Sequence, residues 1–475
     1  MVVSTASTIS VFAQQLNQMS AQPSIQDSTV DPPTLTLEDF LAQVKANHPV
    51  LTLATLDREM ASAKRLETQG AFDPSLNGEG SFNRFNSSSA VGKVQEAIDS
   101  RLTADILTRY GAKLSAGVKL ARGDVKTPLS PTGETGEYFG EVTLPLLRGA
   151  RFNPKAVKEK QALIGEPMAA FKYRRKELEL LLKAIEHYWK WVGNSRKLTV
   201  EKQLIDLAEF RAGAVKDRAD AGDLPQITAV EANREVKRRF GSFYATQRGF
   251  QESTFKLALF LWDTGGESAQ QPAASQVPDT VYTPVAYTDD QLADGKLAAL
   301  SGRPELNVLG FSKEITELDR RLAKNNMLPK LDAFLSQGVE TGEDRISGAV
   351  IKAGVKVSVP LRWRTVKGQL QQAELSLQKL DVQQKQLIQQ IFIDIEDSVS
   401  AINRAFDRYE AASEELDFAQ QLAEGERTKF KYGDTTLFLV NQRERSAASA
   451  NKKVIDAMVD YYQAVGRFNA VTGQL

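Results

Sequence analysis

The sequence predicts a mainly α-helical protein with a small β part, and the C-terminal quarter of the chain carries the strongest evidence. About 67 residues of helical pattern run from Val366 to Tyr432. After Gly433, about 39 further residues continue as a shorter helical stretch to Val471. At a rise of 1.5 Å per residue, the first stretch is on the order of 100 Å long. A helix of that length cannot be buried in a compact domain, so it must pack lengthwise in a coiled coil or a helical barrel.

The second observation is that the same order of elements occurs twice. In the first half, a helix opens at Pro49 and is closed by Pro74. In the second half, a helix opens at Pro304 and ends at Pro329. Both pairs of prolines are 25 residues apart. An internal match of this kind predicts two structural repeats in the chain.

Composition argues against several classes of function. The 60 basic and 60 acidic side chains cancel, so the net charge indicates no nucleic-acid partner. The chain has no cysteine and therefore no disulfide or thiolate metal site. His48 and His187 are the only histidines, and no glycine-rich phosphate loop is present. We therefore predict no enzymatic activity, no cofactor and no metal site.

Residues 1–33 are polar and contain no lysine or arginine. Residues 2–13 are mildly apolar and end in a small-residue pattern typical of a cleavage site, but the positive start of a signal peptide is missing. The segment is interpreted either as the remnant of a secretion signal followed by a linker or as an ordinary disordered tail. The residues leave both interpretations open.

The first repeat is predicted over residues 34–264. Thr36 can cap its entry helix. Its β part covers residues 75–147, and the strand-like pieces are 76–86, 112–120 and 138–146. The segments between these pieces are either long loops or contain an extra hairpin.

Each repeat ends in a long helical hairpin. The first hairpin begins at Asn153-Pro154, a favourable N-cap and N1 pair, and Pro167 is expected to kink or restart its first helix. Its turn is predicted at residues 221–224. A linker or irregular belt over residues 265–289 then leads to the second repeat.

The second repeat is predicted over residues 290–475, with a β-hairpin at 330–361 and a helical turn at 432–435. The return strand of the β-hairpin alternates apolar side chains such as Val355 with Lys352, Lys356 and small residues. This pattern fits a barrel wall with a lipid-facing and a lumen-facing side. It fits the half-buried strand of a soluble sheet equally well.

Taken together, these features resemble the TolC family of outer membrane efflux proteins over residues 35–475. The motifs that carry the resemblance are residues 35–40, 47–49, 145–149, 303–306, 328–329 and 471–473, with the two turn glycines. The resemblance implies a homotrimer with a twelve-stranded outer membrane β-barrel, four strands from each protomer. It also implies that this barrel continues into a twelve-helix periplasmic α-barrel.

The resemblance further implies the function of a passive exit duct for efflux or type I secretion. Such a duct lies in the lipid of the outer membrane of a Gram-negative-type bacterium, with its helices in the periplasm. Its partners are a periplasmic adaptor and an inner membrane pump of the ABC or RND type. The alternative is a soluble, elongated coiled-coil scaffold, which would have no reason to place alternating strands before each long helix.

The resemblance assigns the two helical turns to contact with the adaptor. These residues are Ala221, Gly222, Asp223 and Leu224 in the first turn and Tyr432, Gly433, Asp434 and Thr435 in the second. Tight reversal between antiparallel helices commonly needs a positive φ, which explains the glycines.

Other residues are candidates for the tunnel mouth and the barrel lumen. Some family members narrow the mouth with aspartates six and nine residues after the second turn glycine, but here Leu439 and Gln442 occupy those positions. Glu231 could form an acidic ring instead, or could be an ordinary exposed helical glutamate. Lys352 and Lys356 are lumen candidates that would favour anions.

Overall fold

The computed structural model describes residues 34–86, 94–123, 132, 135–150, 152–279, 283–342 and 345–475. The predicted signal remnant or tail at 1–33 lies outside the described residues. The helices are α1 (Leu37–Asn47), α2 (Pro49–Gln69), α3 (Pro154–Asp220), α4 (Gln226–Ala258), α5 (Asp289–Gly302), α6 (Pro304–Asn326), α7 (Arg364–Tyr432) and α8 (Leu437–Thr472). The strands are β1 (Ser75–Asn86), β2 (Val94–Leu107), β3 (Lys113–Gly123), β4 (Glu137–Pro145), β5 (Lys330–Gly342) and β6 (Arg345–Ser358).

The helices begin where their capping residues predict. Thr36 Oγ1 accepts a hydrogen bond from the backbone N–H of Asp39 at 3.2 Å and starts α1. Asn153 Oδ1 accepts from the N–H of Ala156 at 2.8 Å, with Pro154 at the first helical position of α3. Both predicted caps are confirmed.

The long helices form two hairpins, α3 with α4 and α7 with α8, and α3 also packs against α8. The ascending helices α3 and α7 have 67 and 69 residues, and the descending α4 and α8 have 33 and 36. Of the two alternatives at Pro167, the restart is wrong, since α3 is one continuous helix from Pro154 to Asp220, and the kink stays a prediction. Neighbouring helices hold this region in place: Arg65 of α2 pairs with Glu166 at 2.8 Å, and the Phe171 ring lies 5.8 Å from that of Phe311 in α6.

Within the described residues, six strands form one antiparallel sheet in the order β1 to β6. The resemblance implied that each protomer supplies four strands, and this number is therefore wrong. The region with open alternatives contains an extra strand, β2, and with it an extra hairpin. The strand escaped prediction because Val94, Ile98, Leu102 and Ile106 are four residues apart, a spacing that also fits a helix face.

The buried core lies where the short helices meet the long hairpins. In the first half, Phe40, Tyr188 and Trp191 are buried together, and the rings of Phe40 and Tyr188 stack 5.4 Å apart. The Tyr188 hydroxyl donates to the carbonyl oxygen of Leu35 at 2.8 Å, and burial together with the charge of Asp39 raises the pKa of this hydroxyl. This hydrogen bond fixes the start of α1 on the side of α3.

A second core cluster joins α5, α7 and α8. It contains Ile391, Ile395 and Ile402 of α7 with Tyr461 and Phe468 of α8. These isoleucines fall on one helical face and are completely buried or nearly so. This cluster therefore holds the second hairpin together and joins it to α5, whereas Val459 of α8 packs against α3 in the first cluster and so links the two hairpins.

Each short helix before the sheet begins beside the end of a descending helix. At the start of α2, Asn47 Nδ2 donates to the carbonyl oxygen of Trp262 at 3.2 Å, and the His48 ring lies 5.9 Å from that of Phe260. Before α6, a Cβ at Gly302 would lie 2.7 Å from the carbonyl oxygen of Thr472. The short helices α2 and α6 thus connect the ends of the descending helices with strands β1 and β5 of the sheet.

Candidate functional site: the sheet faces and the hairpin ends

One face of the sheet is apolar and exposed. Strand register places Leu102 opposite Val118, Val142 opposite Leu335, and Ala333 opposite Val355 on this face. Its exposed large apolar side chains are Leu76, Phe82, Val94, Ile98, Leu102, Ile106, Leu114, Tyr138, Val142, Leu144, Leu335, Val339, Ile351, Val355 and Val357. They come from all six strands, so the surface is continuous rather than scattered. An apolar surface of this extent indicates contact with lipid or with another protein.

The opposite face of the sheet is polar, and it carries Lys352 and Lys356. Lys352 pairs in register with Ser336 and Lys356 with Asp332, and the Lys356 Nζ lies 5.3 Å from the centroid of the Phe334 ring. The cations of this face are Arg101, Lys113, Lys119, Lys330, Lys352 and Lys356, and the acids are Glu79, Asp99, Asp105, Glu137, Glu141, Asp332 and Glu340. Because these cations and acids are nearly equal in number, the described face has no excess of positive charge that would favour anions.

The two helical turns have the same backbone geometry. Gly222 and Gly433 both have φ of +85°, the left-handed conformation. In the first turn, the N–H of Gly222 donates to Ala219 O at 3.1 Å and that of Asp223 to Arg218 O at 2.9 Å. This double hydrogen bond is the Schellman motif, in which glycine closes a helix without a steric penalty.

The second turn repeats this pattern in α7. The N–H of Gly433 donates to Phe430 O at 3.2 Å and that of Asp434 to Lys429 O at 3.0 Å. Ala221, Gly222, Asp223, Tyr432, Gly433 and Asp434 are exposed, and Leu224 and Thr435 are half-buried. Contact of these residues with an adaptor stays a prediction.

Replacing Gly433 with valine is expected to destabilise the second turn by about 1 kcal/mol or more, because a β-branched residue is strained at positive φ. The measurement is hydrogen exchange of the amides around the turn, which should become faster. Gly425→Ala is the matched control: Gly425 lies inside α7, and no atom stands within 4 Å of the place that an alanine methyl group would take, so alanine should leave exchange unchanged or slow it. Equal exchange in the Gly433→Val variant and the natural protein would contradict the role given to this glycine.

The tunnel-mouth candidates lie on the two descending helices. Glu231 is half-buried on α4, whereas Leu439 and Gln442 are exposed on the same side of α8, three residues apart. Within the described ranges, no group of three or more histidine, aspartate or glutamate side chains is placed to hold a metal ion. A role for Glu231, Leu439 or Gln442 in lining a mouth stays a prediction.

A buried ionic cluster between the hairpins was not predicted. Arg211 of α3 donates to the carboxylate of Glu444 in α8 at 2.9 Å and to Asn441 Oδ1 at 3.1 Å. Arg427 of α7 donates through Nε to the same carboxylate at 2.8 Å. Three helices from both hairpins therefore meet at one carboxylate, and the Glu444 side chain is only 4% exposed.

The electrostatics of this cluster favour the ionised carboxylate. Burial acts to raise the pKa of Glu444, but hydrogen bonds and the positive charge of Arg211 and Arg427 outweigh it and hold the pKa below its ordinary value. A sequence signal was available, because Leu437, Val440 and Glu444 share the buried helical face at spacings of three and four. Burial of Glu444 was not predicted, because charged residues on long helices are usually solvated.

Comparisons with known proteins agree with this architecture. Residues 298–474 match the family described as outer membrane efflux protein. The predicted resemblance is confirmed. Among curated protein sequences, none matches the chain. No helix in the described ranges combines the length and the apolar character that a membrane crossing requires.

Solved structures of outer membrane channels and of an outer membrane protein share the fold over nearly the whole chain. The CmeC outer membrane channel of Campylobacter jejuni is 12% identical, with a TM-score of 0.67 over 95% of this chain and 90% of that one. The open state of the MtrE outer membrane channel of Neisseria gonorrhoeae is 15% identical, with a TM-score of 0.64 and 96% coverage of both chains. The outer membrane protein VceC of Vibrio cholerae is 11% identical, with a TM-score of 0.66 over 92% of this chain and 96% of that one.

Proposed function

We propose that this protein is an outer membrane channel, the passive exit duct of a tripartite efflux or type I secretion system. The observation that carries the proposal is the two-sided sheet. Exposed apolar side chains cover most of one face, whose charged residues Arg84, Glu96 and Arg122 lie together at one end of β1 to β3, and charged groups are spread over the other face. A barrel wall needs this division, because one side meets lipid and the other meets water. The efflux protein family and the fold of CmeC and MtrE support the same role.

The assembly proposed is a homotrimer with two internal structural repeats in each chain. Each chain supplies four long helices, α3, α4, α7 and α8, so three copies would give a twelve-helix tunnel. Helices of 67 and 69 residues are about 100 Å long, so the tunnel would be an elongated duct. The sheet would then lie in the outer membrane and the hairpin ends in the periplasm.

The proposed partners meet the channel at the hairpin ends. Exposed Tyr432 and half-buried Leu224 offer apolar area beside the two turn glycines, a surface suited to the α-hairpin of a periplasmic adaptor. The adaptor would connect the channel to an inner membrane pump of the ABC or RND type. The chain itself is a conduit in this proposal and has no enzymatic role.

Cysteine labelling tests the proposal directly, because the natural chain contains no cysteine. In outer membranes, Val355→Cys should react with a lipid-soluble maleimide and be protected from a water-soluble one. Lys356→Cys, the matched control on the adjacent position, should react with the water-soluble reagent from the lumen. Recovery of the protein as a monomer without detergent would contradict the channel and favour the soluble coiled-coil scaffold. Reversed labelling would contradict the assignment of the two faces.

A further inference from the structure

The sheet of a single chain is open at both edges. In the described sheet, β1 pairs only with β2 and β6 only with β5, so one row of backbone N–H and C=O groups remains unpaired at each edge. Strands of 12 and 14 residues leave long open edges, which in natural proteins are normally covered or paired. Within a membrane, unpaired backbone groups are especially costly, so both edges need a partner.

The extra hairpin, formed by β1 and β2, is an integral part of this sheet. Its strand β2 pairs with β3 from Ala97↔Gly123 to Leu107↔Lys113, and the turn between them rests on the helices. In that turn, Arg109 donates through Nε and Nη2 to the carboxylate of Glu159 in α3 at 2.8 and 2.7 Å.

Two further contacts hold the same turn. The Arg109 guanidinium lies 5.0 Å from the centroid of the Phe72 ring, and the carbonyl oxygen of Arg109 accepts a hydrogen bond from Asn153 Nδ2 at 2.8 Å. Asn153 also caps α3, so the turn is tied to the residue that starts the long helix. The β1–β2 hairpin therefore continues the wall formed by β3 to β6 and is not an appendage beside it.

We propose that β1 of one chain pairs antiparallel with β6 of a second copy, so that three copies close a sheet of eighteen strands. The inference rests on the proposed trimeric channel and goes beyond it, because the resemblance implied twelve strands. The direction of the strands is right: neighbours alternate from β1 to β6, so β1 of a second copy runs opposite to β6. The described edges of one chain would then all be paired.

The side chains at the two edges are complementary on both faces. On the polar face, β1 presents Asn77 and Glu79, and β6 presents Lys352 and Lys356. On the apolar face, β1 presents Leu76 and Phe82, with Arg84 near the end of the strand, while β6 contributes Ile351, Val355 and Val357. Pairing would therefore place glutamate among lysines in water and join two apolar rows in lipid, as cross-strand pairing favours.

An eighteen-stranded exit is wider than a twelve-stranded one. With strands about 4.8 Å apart and tilted about 40°, the backbone cylinder is about 36 Å across for eighteen strands and about 24 Å for twelve. Barrels of 16 to about 18 strands enclose an open aqueous channel. An opening of that width is large enough for bulky cargo, such as a polypeptide in helical form about 10–12 Å across.

Disulfide crosslinking between copies tests the pairing of the edges. Asn77→Cys is combined with Lys352→Cys in one variant and with Lys356→Cys in another, which covers two registers of the same face. Within one chain β1 and β6 are separated by four strands, on the order of 20 Å, so a disulfide can form only between copies. After oxidation in membranes, at least one variant should give covalent dimers and trimers on non-reducing gels.

The matched control combines Lys119→Cys with Lys356→Cys. Lys119 lies on the same face but on the interior strand β3, so this pair should give no covalent species. Detergent-solubilised trimers without crosslinks in either test variant, or electron cryomicroscopy of the trimer with a barrel near 24 Å, would overturn the eighteen-stranded closure while leaving the channel intact. A monomer recovered without detergent would instead overturn the proposed function itself.

Discussion

Replacing Glu444 with leucine is expected to lower the free energy of unfolding by about 3–5 kcal/mol, because removal of one member of a buried ionic cluster leaves the other charge buried without a partner. Arg211 is the charge affected most, since its side chain is only 13% exposed, whereas Arg427 can turn to water. The effect should be measured as a loss of thermal stability in detergent, with faster hydrogen exchange where α3, α7 and α8 meet.

Two variants make this result specific. Arg404→Ala removes an exposed ion pair with Asp407 on the same helix, and its effect should stay within about 0.5 kcal/mol. Combining Glu444→Leu with Arg211→Leu should recover part of the loss, because both buried charges are then gone. A loss below about 1 kcal/mol in the single Glu444→Leu variant would mean that the cluster is hydrated and does not join the hairpins.

The same carboxylate gives this stability a pH dependence. Since the pKa of Glu444 is lower in the folded state, its contribution is complete above the ordinary glutamate pKa of about 4.3 and is lost as pH falls through the lower folded value. The natural protein should therefore lose hairpin protection in acid. Glu444→Gln should be less stable at neutral pH and should lack this part of the acid transition.

The second large effect is expected on the apolar face of the sheet. Leu102→Arg, near the middle of β2, should destabilise the folded protein by about 2–4 kcal/mol when it inserts into lipid, because a charge near the bilayer midplane is poorly solvated. The measurement is the equilibrium of folding into lipid vesicles in urea. The side chain is half exposed in the single chain, so crowding within the sheet is not the cause of the loss.

Ser81→Arg is the matched control for Leu102→Arg. Ser81 lies on the polar face of β1 opposite Asp99, where an added cation meets water and a carboxylate. Its folding equilibrium should change by less than about 0.5 kcal/mol. Equal losses in the two variants would show that the faces are not distinguished by lipid, and the proposed membrane orientation would then be wrong.

Local signals made the helical hairpins predictable. Gly222 and Gly433 each stand where a helical pattern stops, and only a left-handed residue closes a helix in this way. Asn153 and Pro154 likewise start α3 through neighbouring backbone groups. These features depend on a few adjacent residues, so a single sequence contains all the information that they need.

Features that depend on distant partners were harder to predict. The leucine and isoleucines of β2 recur every fourth residue, and only pairing with β1 and β3 decides that they lie on a strand. Pro167 does not end α3, because α2 and α6 contact this part of the helix through Glu166 and Phe171. Glu444 is buried only when Arg211, 233 residues earlier in the chain, lies beside it. In each case tertiary contacts outweigh the local preference.

The pairing of β4 with β5 also determines the order in which the protein can fold. Pro145 pairs with Asp332, although the two are 187 residues apart, and the entire α3–α4 hairpin lies between them. During synthesis β1 to β4 therefore emerge long before β5 exists, and contacts of such large sequence separation form slowly. Until β5 has been made, β4 keeps an unpaired backbone edge and the apolar face of the first four strands is exposed, which is an aggregation hazard. Assembly of the complete sheet is thus expected to be a late step in folding.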